Sequence, residues 1–348
     1  MKKIIAVAAA LVMCIAILAG CSSQGSTSTP SSDEKVKVVA TIFPQYDFAK
    51  QIGGDRADVQ MLLAPGAEAH SYEPTPEDIK TIQNADLFVY VGGENDEWVE
   101  DILESMGDKA PQTLKLVDCV KTVEEETVEG MQEEHEHADG EAHEHAEGEA
   151  HEHAAGEAHE HEHEHEHADG EEAEIDEHVW TSPKNAEAIV DALCDRMSSA
   201  RPADADTFKA NATEYKKQLE ELDGKFRDVV NNANRKTIVF GDRFPLRYFV
   251  EEYGLNYYAA FPGCATDTEA SADTVAFLIN KVKEEKIPVV FSIELSNGKI
   301  ADTIAESTGA KRLTFYTCHN VSADQMKEGA TYLSMMTENV DALRKALA

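Results

Sequence analysis

The sequence predicts an α/β fold in which two (β/α)4-type domains with parallel sheets are joined by one long linking helix. Short β-branched runs alternate with helical stretches in both halves of the chain, and a stripe of large apolar residues lies between the halves. The chain has 348 residues, of which 42% are hydrophobic, which is enough to build two cores. Strands that alternate with helices favour parallel sheets with both faces covered.

The N-terminal half contains three predicted strands separated by helical stretches. The strands are residues 36–42, 59–63 and 87–91, and the helices between them are residues 46–52 and 75–84. Gly53 and Gly54 end the first helix, and Pro76 suits the first turn of the second. A further helix begins near Pro183.

The C-terminal half repeats the alternation four times. The predicted strands are residues 237–240, 257–261, 288–293 and 312–316, and the predicted helices are residues 245–253, 272–286, 298–307 and 332–347. Gly254 and Gly309 stand where two of these helices should end.

A single helix is predicted for residues 204–233, between the two halves. Its large apolar residues recur at spacings of 7, 4, 3, 4 and 3, and they are Phe208, Tyr215, Leu219, Leu222, Phe226 and Val229. A helix of 30 residues spans about 45 Å, which is long enough to connect two domains. We therefore expect domains at residues 36–203 and 234–348, although an ordinary helix inside one domain is the alternative.

The N-terminus has the pattern of a secretory signal over residues 1–20, with Lys2 and Lys3 before an apolar stretch. The stretch ends Leu-Ala-Gly-Cys21, which resembles the lipobox of bacterial lipoproteins. Residues 21–35 have the composition of a flexible tether. We expect an extracytoplasmic protein anchored through lipid on Cys21 to the outer face of the bacterial cell membrane, or, alternatively, an ordinary signal peptide.

The chain is strongly acidic and the acidity is concentrated in one segment. Its 67 acidic and 31 basic residues give a formal net charge of −36, which excludes nucleic acid as a default partner. Residues 124–177 contain 24 of the acidic residues, 11 of the 14 histidines, and no Lys or Arg.

Within this segment, residues 124–175 are predicted to form a disordered His/Glu-rich loop. Three octets of the type HEHAxGEA are followed by HEHEHEHEHADG. No hydrophobic residue larger than Ala occurs between Glu133 and Glu174, so this stretch cannot form a core. Imidazole binds zinc, copper and nickel, so we expect a low-affinity metal collector; a solvated acidic spacer is the alternative. The loop histidines are His135, His137, His143, His145, His151, His153, His159, His161, His163, His165 and His167.

The metalloprotease pattern H-E-x-x-H also occurs in the loop, at residues 159–163. That signature requires two histidines on one face of a packed helix beside a cleft. The surroundings are wholly polar and give no helix a surface to pack against, so the protease interpretation is rejected.

The three histidines outside the loop are candidate metal ligands. His70, His178 and His319 each lie at the end of a predicted strand or in a loop close to a strand, and in α/β sheets ligands bind beyond the carboxyl ends of the strands. Cys264 and Cys318 stay open as thiolate ligands or as disulfide partners, together with Cys119 and Cys194.

The motifs HSYEPTP, which begins at His70, and DEHVWTSPKNA, around His178, resemble those of a transport family. This family is the cation-binding group of ABC-transporter substrate-binding lipoproteins, which includes ZnuA-like zinc and TroA-like manganese/zinc proteins. The resemblance covers about residues 36–348. It implies a metal site in the cleft between two domains, delivery to an ABC permease with its ATPase, and no enzymatic activity.

The C-terminal half departs from the family pattern. The family supplies a third ligand, His or Glu, after the first strand of this half, where the present sequence reads VFGDRFPLRYF and offers only Asp242. After the last strand, where the family has a fourth ligand, Cys318 and His319 stand. The resemblance therefore implies His70 and His178 as ligands, with His319 as the third and Asp242 as a weaker fourth.

Three imidazoles with at most one oxygen ligand favour Zn2+ over Mn2+, which prefers more oxygen ligands. We expect a monomeric, high-affinity zinc-binding lipoprotein of an ABC importer. The alternatives are a manganese-specific binding protein, a surface metal-buffering lipoprotein or adhesin, and a zinc hydrolase with Asp242 or Glu294 as general base.

Overall fold

The computed structural model describes residues 34–68, 72–93, 96–131, 174–265 and 269–348. The predicted signal peptide, Cys21, nearly all of the tether, His70 and the eleven loop histidines lie outside the described residues. Within the described part of the chain, no helix combines the length and the hydropathy needed to cross a membrane.

Two parallel four-stranded sheets organise the described chain. Their strands, in chain order, are β1 (Val36–Ala40), β2 (Ala57–Met61), β3 (Leu87–Tyr90), β4 (Gln112–Lys115), β5 (Thr237–Arg243), β6 (Asn256–Phe261), β7 (Val289–Ile293) and β8 (Lys311–Phe315). The strand orders are β2-β1-β3-β4 in the N-terminal half and β6-β5-β7-β8 in the C-terminal half. The predicted α/β class with two parallel sheets is confirmed.

Burial along the strands follows from helices that cover both faces of each sheet. Every residue of β3 and β7 is buried, because parallel strands in the middle of a sheet have no solvent face. The edge strand β4, in contrast, buries only Leu114 of its four residues.

The described helices pack on these faces and connect the strands. They are α1 (Phe43–Gly53), α2 (Pro76–Gln83), α3 (Glu97–Met106), α4 (Pro183–Ala200), α5 (Ala205–Asn231), α6 (Arg247–Tyr253), α7 (Ala272–Glu284), α8 (Lys299–Thr308), α9 (Ala323–Glu328) and α10 (Tyr332–Ala346). All the predicted helices form with small shifts of their ends. Helices α3 and α9 and strand β4 were not predicted.

Helix α5 is the predicted long helix between the halves. It has 27 residues, which corresponds to a length of about 40 Å. Its apolar stripe is buried from Phe208 to Val229, and it packs on α1 and α4 of the N-terminal half and on α10 of the C-terminal half. One face of a single helix therefore contributes to the packing of both halves.

The two halves also pack directly against each other, and residues 35–348 form one compact unit. The ring of Phe48 in α1 lies 5.0 Å from that of Tyr332 in α10 and 6.0 Å from that of Tyr215 in α5, measured between centroids. The neighbouring carboxylate of Asp47 accepts a hydrogen bond from the backbone N–H of Tyr332 at 2.9 Å. Helices α1, α5 and α10 thus share one buried junction.

Candidate metal centre

A cavity at the carboxyl end of the first sheet is lined by two of the predicted ligands, His178 and His319. Their ring centroids are 5.4 Å apart and the ring planes are nearly perpendicular, at 82°. Thr41 and Ile42 after β1, and Val91 after β3, line the same cavity. It therefore lies between the two strands at which the strand order reverses, which is the usual ligand position in such sheets.

The indole of Trp180 packs against both imidazoles. Its ring centroid is 5.5 Å from that of His178 and 5.1 Å from that of His319. Its Nε1–H donates to the backbone oxygen of Thr317 at 2.9 Å, and its own carbonyl accepts from the hydroxyl of Tyr332 at 2.8 Å. Trp180 is therefore fixed at both ends and limits the positions that the two imidazole rings can adopt.

The buried ring of His178 is oriented by Asp176. The Asp176 carboxylate accepts the backbone N–H of His178 at 2.8 Å and lies 3.1 Å from its Nδ1. Burial lowers the pKa of His178, but the negative charge of Asp176 raises it, and the net shift is upward from 6.5. In the neutral ring, an Nδ1–H donated to this carboxylate leaves the lone pair on Nε2, which is the tautomer that a metal requires.

His319 lies at the boundary between the two halves. Its carbonyl accepts a hydrogen bond from the N–H of Phe43 at the start of α1, at 3.4 Å. Its side chain lines both the first cavity and a second one, at the carboxyl end of the second sheet, to which Glu294 also contributes. The turn that carries His319 thus faces both sheets.

Asn320, the residue after His319, holds the loop that precedes residue 69. The side-chain amide of Asn320 donates to the carbonyls of Ala64 and Ala67, both at 2.9 Å. Residues 69–71, which include His70, are outside the described part. On either side of them, Glu68 lines the second cavity and Tyr72 lines the first.

Asp242 does not line the cavity that contains His178 and His319. It lines a different cavity, which shares no lining residue with the one that contains His178. Its two carboxylate oxygens accept the backbone N–H groups of Arg243 at 3.0 Å and Ile293 at 3.3 Å. Burial raises the pKa of this carboxyl. Asp242 follows the predicted strand 237–240 but lies within β5 in the structure, and the sequence gave no indication that its side chain faces the backbone of β7.

The four described cysteines, Cys119, Cys194, Cys264 and Cys318, are free. In the described part of the chain, no disulfide joins Cys264 to Cys318. Burial raises the pKa of both thiols, which disfavours the thiolate form that binds metal. Neither side chain lines the cavity that contains His178 and His319.

The described ends of the predicted His/Glu-rich loop meet close to His178. Glu124 and Ile175 form an isolated antiparallel bridge. The N–H of Glu125 donates to the carbonyl of Glu174 at 2.9 Å, and the N–H of Asp176 donates to Val123 at 2.9 Å. Segment 132–173 is thus attached to the fold at a short pairing that immediately precedes His178.

Among the described residues, two histidines, His178 and His319, and two acidic residues, Asp96 and Glu177, line this cavity. No group of three or more His, Cys, Asp or Glu side chains in these parts of the chain is arranged to hold a metal ion. The sequence singled out His178 and His319 as candidate ligands, and the structure places both in one cavity, but the sequence did not identify Trp180 or Asp176 as the groups that orient them. Asp176 and Trp180 lie within the DEHVW motif, so their closeness to His178 in the sequence is the signal that could have identified them.

Comparisons with known proteins identify the family. Residues 38–346 match the ZnuA family, described as zinc-uptake complex component A, periplasmic. The chain is 33% identical over 338 residues to the high-affinity zinc uptake system protein ZnuA of Bacillus subtilis, which covers 96% of this chain and 95% of that protein. It is 33% identical over 314 residues to the zinc-binding protein AdcA of Streptococcus pyogenes, which covers 90% of this chain.

The match spans only 56% of the length of that AdcA protein. Among solved structures, the Zn(II)-bound ZnuA-like domain of AdcA from Streptococcus pneumoniae superimposes with a TM-score of 0.68 at 26% identity. This superposition covers 90% of the present chain and 99% of that domain.

Proposed function

The chain belongs to the ZnuA family, and from that premise we propose that it is the extracytoplasmic zinc-binding component of an ABC importer. It captures Zn2+ and delivers the ion to a membrane permease and its ATPase, and it performs no chemistry on it. The observation that carries the proposal is the pair of imidazoles, His178 and His319, in a cavity where the carboxyl ends of the sheets meet.

We propose that His70 completes a site of three imidazoles with His178 and His319. The support is that both described flanks of residues 69–71 line the cavities that contain His319, and that Asn320 holds the loop before them. A water molecule or a carboxylate would fill the fourth position of a tetrahedral shell. An imidazole-rich shell favours zinc over manganese, and the relatives with zinc in their names agree with this choice.

The proposal includes the place of the protein in the cell. Cys21 carries the lipid, residues 21–35 form the tether, and the folded part works as a monomer on the outer face of the membrane. The segment 132–173 collects divalent cations with low affinity. Its attachment next to His178 keeps those cations close to the cavity.

Metal titration of purified variants tests the ligand set. Zinc and manganese compete for the wild type and for His70→Ala, His178→Ala and His319→Ala, with affinity measured against a chromophoric chelator. Replacing a residue that only orients a ligand costs about 10- to 100-fold in affinity, so the loss of a true ligand is expected to exceed about 100-fold. His143→Ala, in the predicted loop, is the matched control and should keep the tight site.

Wild-type affinity in both His178→Ala and His319→Ala would contradict the proposed site. The transport role has its own test, which is growth of a deletion strain under zinc chelation. A requirement for added zinc that the wild-type gene abolishes is the expected result. A strain that lacks every other zinc importer and still grows normally would contradict the role in import.

A further inference from the structure

Both carboxylate oxygens of Glu294, at the end of β7, accept hydrogen bonds from the turn that follows β8. Its Oε2 accepts the backbone N–H of Thr317 at 2.7 Å. Its Oε1 accepts the Thr317 hydroxyl at 2.7 Å and the backbone N–H of His319 at 3.1 Å. Strands β7 and β8 pair in parallel up to Ile293 and Phe315, so the two strand ends lie side by side and Glu294 reaches the turn directly.

The turn needs such support because its central residue has a strained backbone. Cys318 has a φ of 61°, a left-handed conformation that residues with a Cβ rarely adopt. Successive N–H groups around a left-handed residue form a concave site that binds an anion. Here the two N–H groups on either side of Cys318 point at one buried carboxylate.

We propose that Glu294 is a positioning residue for the metal site, which acts by holding His319 in the cavity. This inference rests on the proposed function, because it assigns His319 as a ligand. Its physical basis is that both oxygens are occupied by three donors of the turn. The effect of Glu294 on the metal therefore passes through His319.

A double-mutant cycle with Glu294→Gln and His319→Ala tests the proposal. A glutamine offers one oxygen for three donors and turns an NH2 group towards an N–H, so it should loosen the turn. We expect zinc affinity to fall by about 10- to 100-fold, as for other residues that orient a ligand. In the His319→Ala background the same replacement should change the affinity by less than about twofold, because Glu294 acts only through that ring.

Two further variants separate positioning from a general loss of stability. Asp223→Asn removes another buried carboxylate, which accepts the Tyr253 hydroxyl far from the site, and it should leave zinc affinity unchanged. Thr317→Val removes one of the three donors to Glu294, and with it a hydroxyl that the His319 N–H approaches at 3.3 Å; because both backbone donors to Glu294 remain, a smaller loss of affinity is expected. This variant keeps the test available if Glu294→Gln fails to fold.

A measurement without metal distinguishes failure of this inference from failure of the proposed function. In the metal-free protein, the imidazole NMR signals of His319, identified by their absence from His319→Ala, should shift in Glu294→Gln and stay unchanged in Asp223→Asn. Unchanged signals would overturn the positioning role, and so would additive losses of zinc affinity in the double mutant. Wild-type protein without a tight zinc site would overturn the proposed function, while the NMR comparison would still decide what Glu294 holds.

Discussion

At the scale of single residues, Trp180 gives the candidate site a built-in optical signal. The chain contains two tryptophans, and both Trp98 and Trp180 line the cavity. Trp180 packs on the rings of His178 and His319, whereas Trp98 packs on Tyr72, with ring centroids 5.7 Å apart. A cation bound by the two imidazoles would place its charge next to the indole of Trp180.

We therefore predict that zinc changes the intrinsic tryptophan fluorescence and that the change saturates at one equivalent. Trp98→Phe should retain most of the change, and Trp180→Phe should lose most of it. The measurement is a fluorescence titration of the three proteins, with His178→Ala as the protein that should give no change at one equivalent. The opposite dependence on the two tryptophans would place the metal away from Trp180.

His178 and His319, which share the cavity, could be singled out from the sequence because they lie in local motifs near strand ends. The role of Glu294 could not, because it depends on contacts between residues more than 20 positions apart in the sequence. The parallel pairing of β7 and β8 would have brought their ends together, but only the folded backbone shows that Cys318 is left-handed and directs two N–H groups at the carboxylate.

At the scale of elements, the junction of α1, α5 and α10 depends on one buried acid. The Asp47 carboxylate in α1 accepts from the backbone N–H of Tyr332 at the start of α10 and from the hydroxyl of Tyr215 in α5, at 2.9 and 3.4 Å. Burial raises the pKa of Asp47 above 3.8, although hydrogen bonds from Gln51 and Tyr332 lower it. The folded protein therefore binds this proton more tightly than the unfolded chain.

Because the pKa of Asp47 is raised in the folded protein, we predict that its contribution to stability falls as the pH rises from 3.8 through the raised pKa. Asp47→Asn cannot ionise, so its free energy of unfolding minus that of the wild type should be larger, meaning a relatively more stable variant, at pH 7 than at pH 4. The size of the difference follows the size of the pKa shift. Urea unfolding of both proteins at the two pH values measures it. Exposed Asp228→Asn is the control, and an equal effect for both variants would contradict the prediction.

Of the three elements that were not predicted, two have weak sequence patterns and one has a recognisable pattern. Strand β4 has only Leu114 as a buried residue, so it shows no alternation. Helix α9 has six residues, which is too short for a recognisable period. Helix α3 did carry a signal, since Trp98, Val99 and Leu103 fall on one helical face, but this segment was not assigned a structure from the sequence.

At the scale of the whole molecule, the two parallel sheets followed from the alternation of strands and helices, but the joining of the halves did not. Asn320 binds the carbonyls of Ala64 and Ala67 across sequence separations of 256 and 253 residues. Arg243 likewise pairs with Glu68 at 3.0 Å. No local pattern encodes such contacts, because each side chain is an ordinary polar residue until the fold brings its partner near.

The pairing at the two ends of the His/Glu-rich segment predicts how the protein behaves when that segment is removed. The short pairing of 123–125 with 174–176 is formed by described residues on both sides, so deleting 132–173 and closing the gap with a short Gly/Ser linker should preserve the fold and His178. We predict that this variant keeps one tight zinc site and lacks the weak ones, as measured by equilibrium dialysis.

A full-length variant with all eleven loop histidines changed to Asn should behave in the same way, since it keeps the length and the carboxylates but lacks the imidazoles. If the tight site is lost from both variants while the fold is intact, loop histidines are ligands of that site and the three-histidine assignment is wrong.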